Sequence, residues 1–116
     1  MSSQLKLLNI ACVGSGVIGA GWIARFIENG INVNIFDPGP NAELSVNRTL
    51  ENAEVAYAEL TTIPRRKKGK IGFKKSIADT VKNVGLVIES VPERVAIKQK
   101  VYAEIEQHCD KSTLIT

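Results

Sequence analysis

The sequence predicts an α/β domain, a doubly wound parallel sheet that stops before it is complete. Three observations lead there: apolar strand-like segments alternate with amphipathic helical ones, a glycine-rich turn joins the first strand to the first helix, and the last strand-like segment runs to the final residue without a cap. Strands alternating with helices of ordinary length require crossover connections, and crossovers make neighbouring strands parallel. With 116 residues, 44% hydrophobic and 23% charged, the chain is sized for one domain covering residues 1–116 and leaves no room for a second. It reads as the N-terminal fragment of a longer protein.

Residues 8–13 (Leu-Asn-Ile-Ala-Cys-Val) are short and apolar, as a strand buried on both faces should be. From Val17 the period changes: Ile18, Trp22, Ile23, Phe26 and Ile27 fall three or four apart, and Asn29-Gly30 closes that segment as a helix terminus would. Trp22 is expected on the core-facing stripe of this helix. Residues 32–37 alternate polar and apolar and then meet Pro38-Gly39-Pro40, which ends a strand because proline supplies no ladder donor. Asn41 is the expected cap for a long helix carrying Ala42, Val46, Leu50, Ala53, Ala56 and Leu60 at helical spacing. Residues 63–70 are basic and broken by Pro64 and Gly69, so an exposed loop is expected, followed by a short strand over 71–74. Ser76 with Asp79 three residues later caps a single helical turn. Residues 85–91 form the next apolar strand, Pro92 ends it, and residues 94–107 place Ile97, Val101 and Ile105 on one helical face. Residues 112–116 read as a fifth strand.

Composition narrows the function classes. Fifteen basic and 12 acidic residues give a net charge of +3, too slight and too interspersed to argue nucleic acid. The apolar stretch over 7–24 is interrupted by Gly14, Gly16, Gly19 and Gly21 and runs into Arg25, which argues against a signal peptide and against a membrane span. Cys12 and Cys109 have no metal-ligand spacing and form no disulfide framework, so a reducing cytoplasm is expected and no metal.

The residues that point to chemistry are Gly14-Ser15-Gly16-Val17-Ile18-Gly19. A GxGxxG alone is weak, but this one follows a strand, opens a helix and precedes Asp37, which ends the next strand about 20 residues on, as the Rossmann-type fingerprint requires. The first glycine permits the tight turn, the second lets the main chain approach a pyrophosphate, and the third lets helix and sheet pack closely. N–H groups from about Val17 to Gly19, with the helix dipole, stabilise the anion. Asp37 accepts from the adenosine ribose hydroxyls. A 2′-phosphate about 4 Å away would be repelled by roughly 1 to 4 kcal/mol, which selects NAD over NADP.

Taken together these motifs resemble the NAD-binding domain of the 3-hydroxyacyl-CoA dehydrogenase family, especially its carnitine-oxidising branch. The resemblance rests on Gly-Ser-Gly-Val-Ile-Gly-Ala-Gly-Trp (14–22), Phe-Asp-Pro-Gly-Pro-Asn-Ala-Glu (36–43) and Glu-Ser-Val-Pro-Glu-Arg-Val-Ala-Ile-Lys (89–98). It implies that Glu93 and Lys98 contact bound NAD near its nicotinamide ribose end. Read from the residues, Lys98 could equally pair with an acid such as Glu93, and Glu89 could be an internal structural carboxylate. The resemblance also implies hydride transfer from a 3-hydroxyl to NAD, with L-carnitine going to 3-dehydrocarnitine. A 3-hydroxyacyl-CoA substrate is the alternative. Where acyl-CoA enzymes of the family carry a serine and a lysine that touch coenzyme A, this chain has Ala53 and Leu60, which favours carnitine. The basic run at Arg65, Arg66, Lys67, Lys68 and Lys70 reads as solvated surface, yet pulls toward a CoA ester. The family's catalytic histidine and its acidic partner lie on a later segment, so no catalytic residue is assigned, and His108 reads as structural. By resemblance the parent is a homodimer that joins through a C-terminal helical domain. A module that senses NAD without chemistry is the rival from another class.

Overall fold

A computed structural model of the protein describes residues 9–14, 17–60, 67–90, 95–110 and 112–116. Its elements run in order as β1 (Asn9–Val13), α1 (Val17–Glu28), β2 (Asn32–Phe36), α2 (Ala42–Leu60), β3 (Ile71–Phe73), α3 (Ile77–Val81), β4 (Leu86–Glu89), α4 (Val95–His108) and β5 (Leu114–Ile115). Every expected element is present; β2 and β3 each end one residue before the sequence suggests and β5 is confined to Leu114–Ile115, while Leu8 and Val91, at the expected ends of β1 and β4, lie outside the described residues.

The five strands form one sheet in the order β3-β2-β1-β4-β5, and every pairing is parallel. The order therefore reverses direction at β1, between β2 on one side and β4 on the other. Open α/β sheets bind ligands outside the carboxyl ends of their strands at such a switch point.

Strand alternation divides the core into two layers. Ala11, Val13 and Val87 face one way and pack with Ile77, Val81, Val84 and Ile105, beneath α3 and α4. Cys12, Val33 and Ile35 face the other way and pack with Ile23 and Val46, beneath α1 and α2. The polar positions of β2 are accommodated by specific bonds. Asn34 Nδ2 donates to the Thr80 carbonyl at 3.3 Å, and Asn32 Oδ1 accepts from the Lys70 amide at 2.9 Å. Asn34 can therefore lie partly buried in a sheet covered on both faces without a desolvated amide.

Capping at Ser76 and at Asn29-Gly30 follows the expected chemistry. The Ser76 hydroxyl accepts from the Asp79 amide at 3.1 Å and opens α3. α1 ends at Asn29-Gly30, where the Ile31 amide donates back to the Phe26 carbonyl at 2.9 Å. The described part of the basic loop is less detached than a surface loop: the Gly69 amide donates to the Ile27 carbonyl at 2.9 Å, tying the loop to the end of α1.

Trp22 departs from expectation. It is 46% exposed, stacked on Phe26 at 5.8 Å between ring centroids, with the Arg25 guanidinium 6.0 Å from its ring. The buried stripe of α1 consists instead of Ala20, Ile23 and Ala24. A tryptophan one position before Ile23 sits about 100° around the helix from it, enough to leave the buried stripe. Among the described residues no helix is long and apolar enough to cross a membrane.

Candidate functional site

The site is built at the carboxyl ends of β2, β1 and β4. β1 leaves the sheet at Val13 and enters Gly14, a buried residue with φ of +91°. That conformation strains any residue with a Cβ, so a glycine is needed where the chain turns toward the helix. The Gly14 amide donates to the Phe36 carbonyl at 2.8 Å, which ties the turn to the end of β2, and the Ser90 amide donates to the Val13 carbonyl at 2.8 Å, which ties it to the end of β4. The turn is thus held from both sides.

Gly19 supplies the close approach. A Cβ at that position would stand 3.3 Å from the Gly14 carbonyl oxygen and 3.4 Å from Ser90 Oγ. The first turn of α1 lies this near the strand ends because Gly19 has no side chain. Val17, Ile18 and Gly19 open a helix of 12 residues, so their amides lack intrahelical acceptors and carry the positive end of the dipole. Ser15 and Gly16 lie outside the described residues.

Asp37 follows β2 directly. Its Oδ1 accepts from the Gly39 amide at 2.9 Å, an Asx turn that sets the carboxylate before any ligand arrives. A Cβ on Gly39 would lie 3.1 Å from that same oxygen, so the turn is matched to glycine. The Asp37-Pro38-Gly39 sequence carries the signal for this turn.

On the other side of β1, the structure brings Lys98 to Glu89. Nζ of Lys98 lies 3.4 Å from Oε2 of Glu89, a carboxylate whose side chain is 3% exposed. The pairing runs to the internal carboxylate; Glu93 lies outside the described residues. Beside this edge, Trp22, Phe26, Leu86, Ile88, Glu89 itself, Ser90 and Thr116 line an open depression of about 370 Å³. Ser90 carries no motif signal of its own: the sequence places it inside the strand expected over 85–91, and the structure puts it just past the end of β4.

Cys12, Ala53 and Lys68 have structural surroundings. Cys12 is fully buried, and burial pushes its thiol up to about 12, so it packs as a small hydrophobe. Ala53 lines a shallow cavity between α1 and α2 with Leu50 and Tyr57. Lys68, from the basic loop, is paired with Glu54 at the surface; Arg65 and Arg66 lie outside the described residues.

The residues described fit a dinucleotide: a buried glycine turn with positive φ, a helix start brought close by Gly19, and a preset carboxylate one strand over. Comparison with known proteins agrees. The family described as 3-hydroxyacyl-CoA dehydrogenase, NAD binding domain, matches residues 9–116. The chain belongs to this family. NAD is accordingly its cofactor.

It is 43% identical over 105 residues to L-carnitine dehydrogenase of Mesorhizobium japonicum, covering 90% of this chain and 29% of that protein. It is 48% identical over 105 residues to an L-carnitine dehydrogenase/betainyl-CoA thioesterase of a Rhizobium species, covering 90% of this chain and 21% of that protein. Among solved structures, 5-formyl-3-hydroxy-2-methylpyridine 4-carboxylic acid 5-dehydrogenase, an NAD+-dependent dismutase, superposes with a TM-score of 0.81 at 34% identity. That match covers 94% of this chain and 36% of the other. The chain therefore spans roughly a fifth to a third of the length of these relatives.

Proposed function

We propose that the chain is the cofactor-binding part of an enzyme that oxidises the 3-hydroxyl of L-carnitine to 3-dehydrocarnitine, passing hydride to NAD. Identity above 40% to L-carnitine dehydrogenases over nine-tenths of the chain supports this reading most strongly. Within it, residues 14–19 (Gly14, Ser15, Gly16, Val17, Ile18 and Gly19) cradle the pyrophosphate, Asp37 holds the adenosine ribose, and Glu93 and Lys98 meet the nicotinamide ribose. When bound, NAD supplies the hydride acceptor; the chain supplies binding and orientation. The reading extends to a small-molecule substrate, a homodimeric parent and a cytoplasmic location, the last supported by two free cysteines.

Calorimetric titration of the chain with NAD and NADP, alongside Asp37→Ala, tests the cofactor half. NAD preference that weakens in the variant is expected. Heat with neither nucleotide from a folded sample counts against it. The substrate half is tested by steady-state turnover of the longer protein with L-carnitine and with a 3-hydroxyacyl-CoA. Preference for the CoA ester would replace carnitine with the acyl substrate.

A further inference from the structure

Glu89 is the last residue of β4, and its register partner on β1 is Val13, the residue before the glycine turn. Alternation along β4 puts Ile88 against the layer beneath α1 and α2, and Val87 in the layer beneath α3 and α4. Glu89 shares the side of Val87, toward α4, where Lys98 stands in the helix's first turn. The two side chains differ sharply in exposure, with the carboxylate at 3% and the lysine at 29%. The acid is interior and fixed; the ammonium is held by it and still reaches solvent.

A carboxylate taken this far from water has to be paired, and a lysine on a surface helix ordinarily sweeps many rotamers. Pairing at 3.4 Å meets the first requirement and restricts the second. The anchor is rigid. The residue after Glu89 is bonded through its amide to Val13, and its side chain packs against Gly19. Glu89 is therefore part of the same block as the phosphate turn, and Lys98 is referenced to that block.

The strand order says which part of a dinucleotide Lys98 meets. β2, β1 and β4 are neighbours, so Asp37 and Glu89 flank the glycine turn on opposite sides, each about one strand spacing, roughly 4.8 Å, away. A dinucleotide with its pyrophosphate at the β1 turn and its adenosine ribose at Asp37 extends its other half over β4. We infer that Glu89 is a positioning residue, one that fixes the Lys98 ammonium beside the nicotinamide ribose half of NAD. This rests on the proposed reading in which Lys98 contacts the cofactor.

The test separates the two halves of the ligand. Wild type, Glu89→Gln, Glu89→Asp, Lys98→Met and the Glu89→Gln/Lys98→Met double variant are titrated with NAD and with AMP, and folding is checked by circular dichroism. Glu89→Gln and Lys98→Met are each expected to weaken NAD about tenfold, the order of one charged hydrogen bond, while AMP stays within about twofold. The double variant should lose no more than Lys98→Met, because Glu89 acts through Lys98. Glu89→Asp keeps the charge on a shorter arm and should lose less than Glu89→Gln. If Glu89→Gln does not fold, Glu89→Asp carries the comparison and must still weaken NAD selectively.

The inference is overturned if Glu89→Gln binds NAD like wild type, if NAD and AMP weaken together, or if the double variant adds the two losses. A wild-type chain that takes AMP but not NAD, or neither, removes the underlying reading instead, and the inference with it.

Discussion

Replacing Gly14 by alanine probes the turn on which the site depends. Its φ of +91° lies beyond the left-handed helical well that asparagine or aspartate tolerates, and the residue is buried. Holding a Cβ there costs about 1 to 3 kcal/mol of backbone strain. Alanine returns about 0.4 to 1 kcal/mol by restricting the unfolded chain, so the net loss lies between about 0 and 2.6 kcal/mol and is centred near about 1.3 kcal/mol. With an unfolding entropy of about 2.1 cal/mol/K per residue, the central value lowers the melting temperature of the 116-residue chain by about 5 °C. Gly21 is the internal control. It lies in α1 with nothing within 4 Å of an added Cβ, so Gly21→Ala should stabilise the chain by up to about 1 kcal/mol through helix propensity. Thermal melts followed by circular dichroism, with NAD titrations in parallel, make the comparison. Gly14→Ala should melt lower and bind NAD more weakly, and Gly21→Ala should melt higher and bind unchanged. The reasoning fails if Gly14→Ala melts at or above wild type, or if both variants shift in the same direction.

Three further outcomes are expected. Asp37→Asn should weaken NAD about tenfold, at about 1.5 kcal/mol for a charged hydrogen bond, and narrow the preference over NADP; an unchanged nucleotide ratio in calorimetry would dismiss the ribose role. Ser76→Ala removes the cap of α3 and should cost about 1 kcal/mol, read as a lowered urea midpoint at unchanged slope. Burial raises the Cys12 thiol from 9.0 to about 12, so the folded chain keeps a proton that the unfolded chain releases above pH 9. The resulting stability is complete below pH 9 and is lost as pH rises toward 12. Urea midpoints from pH 8 to 10.5 should therefore fall faster for wild type than for Cys12→Ala.

Much of the fold was legible because it is written in local signals. Gly14 to Gly19, Asn29-Gly30, Pro38-Gly39-Pro40 and Ser76 with Asp79 mark turns and caps whose chemistry is set within a few residues, and the strands between them are short apolar runs. Trp22 was misplaced for the complementary reason. Helical spacing finds an apolar face, but which part of that face meets the sheet depends on where neighbouring strands end. In this chain α1 presents Ile23 to the core and leaves Trp22 over the edge toward Leu86 and Ile88.

The candidate site divides in the same way. The sequence by itself determined the glycine turn, the helix that follows it and the acid at the end of β2, because a dinucleotide is gripped by backbone geometry at fixed spacing within one βαβ unit. Only the tertiary structure decided that Lys98 is paired with Glu89. The two are nine residues apart across a strand end and a helix start, and a lysine's partner depends on which carboxylate is buried within its reach. It also decided that Ser90 and Gly19 meet, since β1 and β4 become neighbours only through the long-range order of a parallel sheet.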